Sequence, residues 1–338
     1  MSGKSVRKQR GVALLVVLIL LVMMSALAAK ISQQFCRNLQ KTGYQVSQQQ
    51  LRWAIQSQQK TIEGLLQTYA SGESKGLSPK GEWTEPVETE GEHYTVVSQI
   101  EDAQTCFNVN NLLAADPTPA VQTAGALPEK PVKARIVEQL LTDSGISAGD
   151  AEEIYQQLMD YLDGDTTTAK ERMESDAWAG VEPARLPANQ MMRTPGELKL
   201  LPAFPVAAYG RVSKVLCALP DTASKVDVNT LTEEQAPLLA ALFIGSLSED
   251  EAARLIASRP EEGWESMEAF QKALETNYPQ TKDALKQVQA FLAVNSHYFR
   301  VNSTGNTDDL TLRVVSQLHV DDEAGKVITW QRRYRMVE

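Results

Sequence analysis

After the basic residues Lys4, Arg7, Lys8 and Arg10, the chain carries no charge until Lys30, and the 19 positions from Gly11 to Ala29 are almost all apolar. As a helix rising about 1.5 Å per residue, that run is about 28 Å long, close to the hydrocarbon thickness of a bilayer. A helix apolar on every side has no stable place on the surface of a soluble domain, so the run predicts a membrane span. The basic cluster before it keeps the N-terminus on the cytoplasmic side while the rest crosses. Three fates remain open for the segment: a signal peptide cut near Ser25-Ala26-Leu27-Ala28-Ala29, an uncleaved anchor, or a cut at Gly11/Val12 that retains the apolar helix.

The helical pattern does not stop at the membrane. No proline occurs before Pro79, and Gly43 is the only glycine between Gly11 and Gly64. Leu51, Ile55, Ile62, Leu66 and Tyr69 recur at helical spacings, while the glutamines between Gln48 and Gln59 fall mostly on other faces. The pattern predicts one helix over residues 12–66, with 12–29 in the membrane and the distal half packed on a soluble body.

Beyond it, residues 71–81 read as a loop, and alternation at residues 94–100 predicts a strand. Strand patterns return only at residues 298–302, 310–320 and 327–336, the last two joined by a hairpin at 321–325. Between them the pattern is helical. The expectation is an α+β fold, with the long N-terminal helix on an antiparallel sheet and a large all-α domain inserted between strands. The boundaries read from the sequence are a base of residues 67–115 and 295–338 and a head of 116–294, entered through a Pro- and Ala-rich linker at 114–131. Phe107-Asn108-Val109-Asn110-Asn111-Leu112 parallels Val226-Asp227-Val228-Asn229-Thr230-Leu231, a faint internal repeat.

With 43 acidic against 33 basic residues, the formal net charge is −10, and loss of the four basic leader residues takes it to −14. That balance argues against nucleic acid and for a soluble exported body. Export to an oxidising compartment makes a Cys106–Cys217 disulfide the natural pairing, with buried free thiols as the alternative, and leaves Cys36 on the long helix. No phosphate-binding glycine loop, Gly-x-Ser-x-Gly elbow or His-Glu-x-x-His pair is present, so the chain reads as a non-enzyme.

The densest chemistry is acidic: Asp160, Asp163 and Asp165 around Gly164, then Glu171, Glu174 and Asp176. Hard oxygens on a flexible loop suit Ca²⁺, although an acidic run by itself is as readily a solvated loop, and the spacing is not that of an EF-hand.

Basic residues, a glycine, a long apolar helix and this succession of segments resemble the K-type minor pseudopilins of Gram-negative type II secretion systems. Val16 stands where most pilin-like subunits carry glutamate, which is a K-type trait. The stretch Asp160-Tyr161-Leu162-Asp163-Gly164-Asp165 with Glu174-Ser175-Asp176-Ala177-Trp178, then Thr194-Pro195-Gly196-Glu197-Leu198 and a degenerate helix-hairpin-helix from Val226 to Phe270, match the family's order. The resemblance implies cleavage between Gly11 and Val12 by a prepilin peptidase, methylation of the new amine, and a single-pass protein of the inner membrane with its body in the periplasm. It implies calcium on some of Asp160, Asp163, Asp165, Glu174 and Asp176. It also implies a tip complex with the I and J minor pseudopilins, contact with secreted substrates or the outer-membrane secretin, and no nucleic acid. The rival reading is a membrane-anchored periplasmic binding protein with tandem helical units.

Overall fold

The computed structural model describes residues 10–71, 77–115, 130–165, 178, 186–321 and 325–337. Helix α1 (Arg10–Ser71) is one unbroken helix of 62 residues, longer than the span read from periodicity. Residues 12–43 are exposed throughout, and the helix is long and apolar enough to cross a membrane. From Leu51 onward its character changes because one face is covered.

The covering sheet is built from strands far apart in sequence. In chain order the strands are β1 (Val87–Gly91), β2 (Tyr94–Asp102), the short β3 (Phe107–Asn108), β4 (Leu216–Cys217), β5 (Val226–Asp227) and β6 (Leu292–Ala293), and then β7 (Tyr298–Asn306), β8 (Thr311–Asp321) and β9 (Lys326–Val337). Five of them form an antiparallel sheet in the order β1-β2-β7-β8-β9. Strand β1 was not foreseen: Val87 and Thr89 are its only half-buried positions, and the alternating Glu88 and Glu90 are exposed, as suits a short edge strand.

Period-2 alternation turns Val96, Ile100, Val301, Leu312, Val314 and Leu318 onto the face that meets α1. Leu51, Ala54 and Ile55 pack with Val96, Leu312 and Val314, and Ile62 and Leu66 pack with Trp83, Ile100, Phe299 and Leu318. Burying each of these large aliphatic side chains stabilises the contact by roughly 1.5–3 kcal/mol. Helix and sheet are in close contact at Gly305, where an added Cβ would lie 3.1 Å from Leu51 Cδ2 and 3.2 Å from Ile55 Cδ1.

Two glutamines depart from the sequence reading. Gln58 and Gln59 are each 3% exposed and lie under the sheet. Gln58 Nε2 donates to the carbonyls of Val87 (2.7 Å) and Val96 (3.1 Å), and Gln59 Oε1 accepts from Ser316 Oγ (3.0 Å) and from Arg332. A buried amide is tolerated here because its donors and acceptors are met, and the bonds fix the axial position of α1 on the sheet.

The helical domain replaces the turn between β2 and β7, two adjacent antiparallel strands. It contains α2 (Val132–Asp143), α3 (Ala148–Leu162), α4 (Ala236–Leu242), α5 (Glu249–Ala257), α6 (Met267–Asn277) and α7 (Lys282–Val288), with shorter helical turns between them. The boundary falls earlier than the sequence reading had it. Phe107, Val109 and Leu112, assigned there to the base, lie in the main helical core with Ile136, Leu158 and Phe291, because β3 pairs with β4 and not with the large sheet.

The faint repeat is a structural one. β3 runs parallel to β4, and β5 parallel to β6. Two residues after the end of each opening strand stands a fully buried asparagine, Asn110 or Asn229. Asn110 Nδ2 donates to the carbonyls of Met192 (2.9 Å) and Leu219 (2.7 Å), and its Oδ1 accepts from Met192 N (2.8 Å). Asn229 repeats the pattern with Trp264 O (3.0 Å), Val294 O (3.1 Å) and Trp264 N (2.8 Å). Met192 and Trp264 each precede a helix N-cap by two residues, Thr194 and Ser266. Each unit is thus closed by an asparagine that ties its opening strand to its late helix and its last strand.

Candidate functional site

Of the acidic residues singled out by sequence, Asp160, Asp163 and Asp165 stand at the C-terminal end of α3, and Glu171 lies outside the described residues. Ser147 caps the other end, its hydroxyl accepting from Asp150 N. Asp160 lies on the inner side of the last turn and is 5% exposed, Asp163 is the C-cap, and Asp165 follows. Carboxylates at this end meet the negative pole of the helix, an arrangement that repels them unless a cation or proton compensates. Burial, followed by the charges of Asp163 and Asp165, pushes the Asp160 carboxyl up to about 6. Burial first, and then Asp165, also raises Asp163, whose Oδ1 is buried without a hydrogen-bond partner among the described residues.

The surrounding frame is well connected. Tyr161 Oη donates to Glu197 Oε2 (2.9 Å), and Glu197 Oε1 accepts from the backbone of Arg193 (3.0 Å) and Thr194 (2.8 Å). Gln190 N donates to Tyr161 O (3.3 Å), and Asn189 Nδ2 to Asp165 O (2.6 Å). Trp178, 1% exposed, packs on Tyr161 with ring centroids 6.0 Å apart. Asn189 holds a left-handed backbone, φ 49°, which asparagine tolerates better than most residues. Only the Thr194–Glu197 capping box follows from local spacing, and the other contacts join segments far apart in sequence.

Of the five expected ligands, Glu174 and Asp176 lie outside the described residues. Among the described residues no group of three or more His, Cys, Asp or Glu is assembled in a metal-binding arrangement. What is assembled is a buried aspartate, a second aspartate with an unmet oxygen, and a helix terminus of the same sign. This donor set is hard and anionic, and fits a calcium-like cation better than a soft metal.

Cys106 and Cys217 form a disulfide with Cα atoms 5.8 Å apart, closing a separation of 111 residues, while Cys36 is free and exposed on α1. Around it pack Ala103, Leu219, Tyr298 and Trp330, so the bridge lies where the helical domain meets the outer face of the sheet. Gly11 and Val12 both lie within α1, near its first residue. At the turn between α4 and α5, Ile244 and Gly245 take positive φ, and Ser248 and Glu251 then cap α5 reciprocally. The acidic start of α5 therefore complements its own helix dipole.

Two family models described as Type II secretion system (T2SS), protein K match residues 105–221 and 226–291, segments that coincide with the two helical units. The putative type II secretion system protein K of Escherichia coli K12 is 32% identical over 303 residues, covering 89% of this chain and 90% of the relative. The type II secretion system protein K of Pectobacterium carotovorum subsp. carotovorum is 31% identical over 329 residues, 97% of each chain. Among solved structures, a chain of the GspK-GspI-GspJ complex from enterotoxigenic Escherichia coli shares the fold with a TM-score of 0.72 at 24% identity, covering 87% of this chain and 99% of that one. With both helical units matched and relatives aligned along nearly their whole length, the chain belongs to the type II secretion system protein K family.

Proposed function

We propose that this chain is a minor pseudopilin that caps the tip of the pseudopilus in an initiating complex with I and J minor pseudopilins. The observation that carries the reading is the continuity of α1, which runs unbroken from the exposed apolar segment to the residues buried under the sheet. Such a rod transmits any displacement in the membrane directly to the periplasmic body. Ile31, Phe35, Leu39, Val46 and Trp53 remain exposed along it, at spacings of four, four, seven and seven residues, a seam suited to neighbouring helices of the same kind. Val16 brings no carboxylate into the apolar bundle. An unpaired buried charge is costly, so the absence of one suits a subunit with no amine above it to neutralise.

On this reading a prepilin peptidase cuts between Gly11 and Val12, the new amine is methylated, and the helix stays in the inner membrane with the body in the periplasm. The helical domain faces outward, toward secreted substrate or the secretin, and its role is assembly and contact without catalysis. Ca²⁺ would be held by Asp160, Asp163 and Asp165 together with Glu174 and Asp176, offsetting the carboxylates at the end of α3. The support is the unmet Asp163 oxygen and the buried Asp160.

Intact mass of the membrane-purified protein, with co-purification of I and J subunits, tests the assembly reading. A methylated chain beginning at Val12 that brings both subunits with it is expected. A retained Met1 with no I or J attached would favour the anchored binding protein instead. Thermal unfolding in calcium against EGTA tests the ion separately. Binding to the folded form alone stabilises by about 2.7 kcal/mol at roughly a hundredfold excess over Kd. The shift should be present in the natural chain and absent in Asp163→Ala, and an unmoved midpoint in the natural chain refutes the site.

A further inference from the structure

On the face of the sheet away from α1, a groove of about 750 Å³ separates the strands from the helical domain. The disulfide lies along it, joining the segment just after β2 to β4 on the side of the helical domain. The volume is within the range of sites that take a small ligand or a few residues of peptide. One wall offers Arg300 and Arg333 from the sheet, and the other offers Arg193 and Lys214 from the helical domain. All four are exposed. Arg300 reaches Glu101 at 3.8 Å and Lys214 reaches Glu234 at 3.9 Å, long contacts between solvated groups that exchange readily for a better partner. Arg259 also lines the groove but is held by the carbonyl of Leu231 (2.7 Å) and faces Asp227, so it is not available.

Beside the groove the same outer face carries Arg313 and Arg335, directly opposite each other on β8 and β9. Like charges placed opposite across a ladder destabilise it. Among the described residues neither of them, nor Arg193, nor Arg333, pairs with a carboxylate. In a chain with net charge −10, cations thus gather on one face and outnumber the groove's own Glu101, Asp102 and Glu234, and four of them have no carboxylate partner among the described residues. The groove also reaches β9, the outermost strand of the sheet, through Trp330, Gln331 and Arg333. An extended segment laid along that edge gains main-chain hydrogen bonds and sets every second side chain over Arg333 and Arg335.

We propose that this groove and the adjoining face of β9 dock an acidic, extended segment of a partner protein, whichever subunits pack on the long helix. The arginines read the acidic side chains, the strand edge reads the backbone, and Trp330 supplies an aromatic surface of the kind that anchors interfaces. The full chain in detergent is titrated into a fluorescent alternating Glu-Val decapeptide, and anisotropy is followed at low and high salt. Saturable binding weakened by salt is expected, because exposed charge pairs are screened. Arg313→Glu combined with Arg333→Glu should weaken binding about tenfold or more without lowering the unfolding midpoint, since Arg313→Glu places opposite charges across the ladder at Arg335, whereas Arg254→Glu on α5, outside the groove, should leave the affinity as it was. Equal affinity for a Gln-Val decapeptide, or indifference to the charge reversal, overturns the proposal. So does tighter binding of a single-stranded oligonucleotide that displaces the peptide, since it would make the face a general polyanion site.

Discussion

Replacing Asn229 with alanine removes three hydrogen bonds at once, to Trp264 O, Val294 O and Trp264 N, at a position fully shielded from water. The backbone groups left behind lack partners. An unsatisfied buried group destabilises by about 1–3 kcal/mol, but carbonyls suffer less than N–H groups and water can enter the vacated space, so the net loss is about 2–4 kcal/mol. The same reasoning applies to Asn110, whose partners are Met192 and Leu219, and it gives the same range. Because the two asparagines bond to different segments, the double variant should lose about the sum of the two. Urea unfolding of the full chain in detergent, followed by tryptophan fluorescence and by pulse proteolysis, measures this. Were either substitution to cost less than about 0.5 kcal/mol, the scale of an ordinary surface change, the asparagines would not be the closures of the two units and the repeat would be only a resemblance of sequence.

Asp227 occupies in the second unit the place that Asn108 holds in the first. Burial and then neighbouring Asp102 push its carboxyl well above the usual range, and burial raises Asp102 too. The folded chain therefore holds these protons more tightly than the unfolded one, and stability declines as pH rises from the ordinary carboxylate range through the raised folded values. Asp227→Asn should flatten that decline and stabilise the protein at neutral pH, and an unaltered pH profile of the unfolding midpoint would count against this account. Loss of the 111-residue disulfide loop in Cys106→Ser with Cys217→Ser should cost about 2–5 kcal/mol by the same unfolding assay, and a loss below 1 kcal/mol would mean that packing alone seats the domain. Gly305→Val should cost about 1–3 kcal/mol by forcing α1 off the sheet at Leu51 and Ile55, and a neutral result would show that the helix shifts freely there.

The acidic loop illustrates what could be read in advance and what could not. Composition and local density marked Asp160, Asp163 and Asp165 as candidates, because like charges crowded in sequence are also crowded in space. The burial of Asp160 and the orphaned oxygen of Asp163 follow from how Tyr161 packs on Trp178 and bonds to Glu197, contacts spanning 17 and 36 residues that no local pattern announces. Helical spacing sets most of the glutamines from Gln48 to Gln59 off the apolar face, yet Gln58 and Gln59 are buried. They are buried because Val87, Val96, Thr329 and Arg332 supply their partners.

By itself the sequence determined the elements whose signal is local. The long helix followed from an unbroken apolar run and a helical period without proline, and the three C-terminal strands from alternation, since both periodicities arise from backbone geometry alone. Even the insertion of a helical block between strands could be read from the order of the patterns. Only the tertiary structure decided where that block begins, which strands are neighbours, and that the walls of the basic groove face each other. Those outcomes depend on pairings such as β3 with β4, β2 with β7 and Cys106 with Cys217, each more than a hundred residues apart, and their free energy comes from contacts that exist only once the chain has closed on itself.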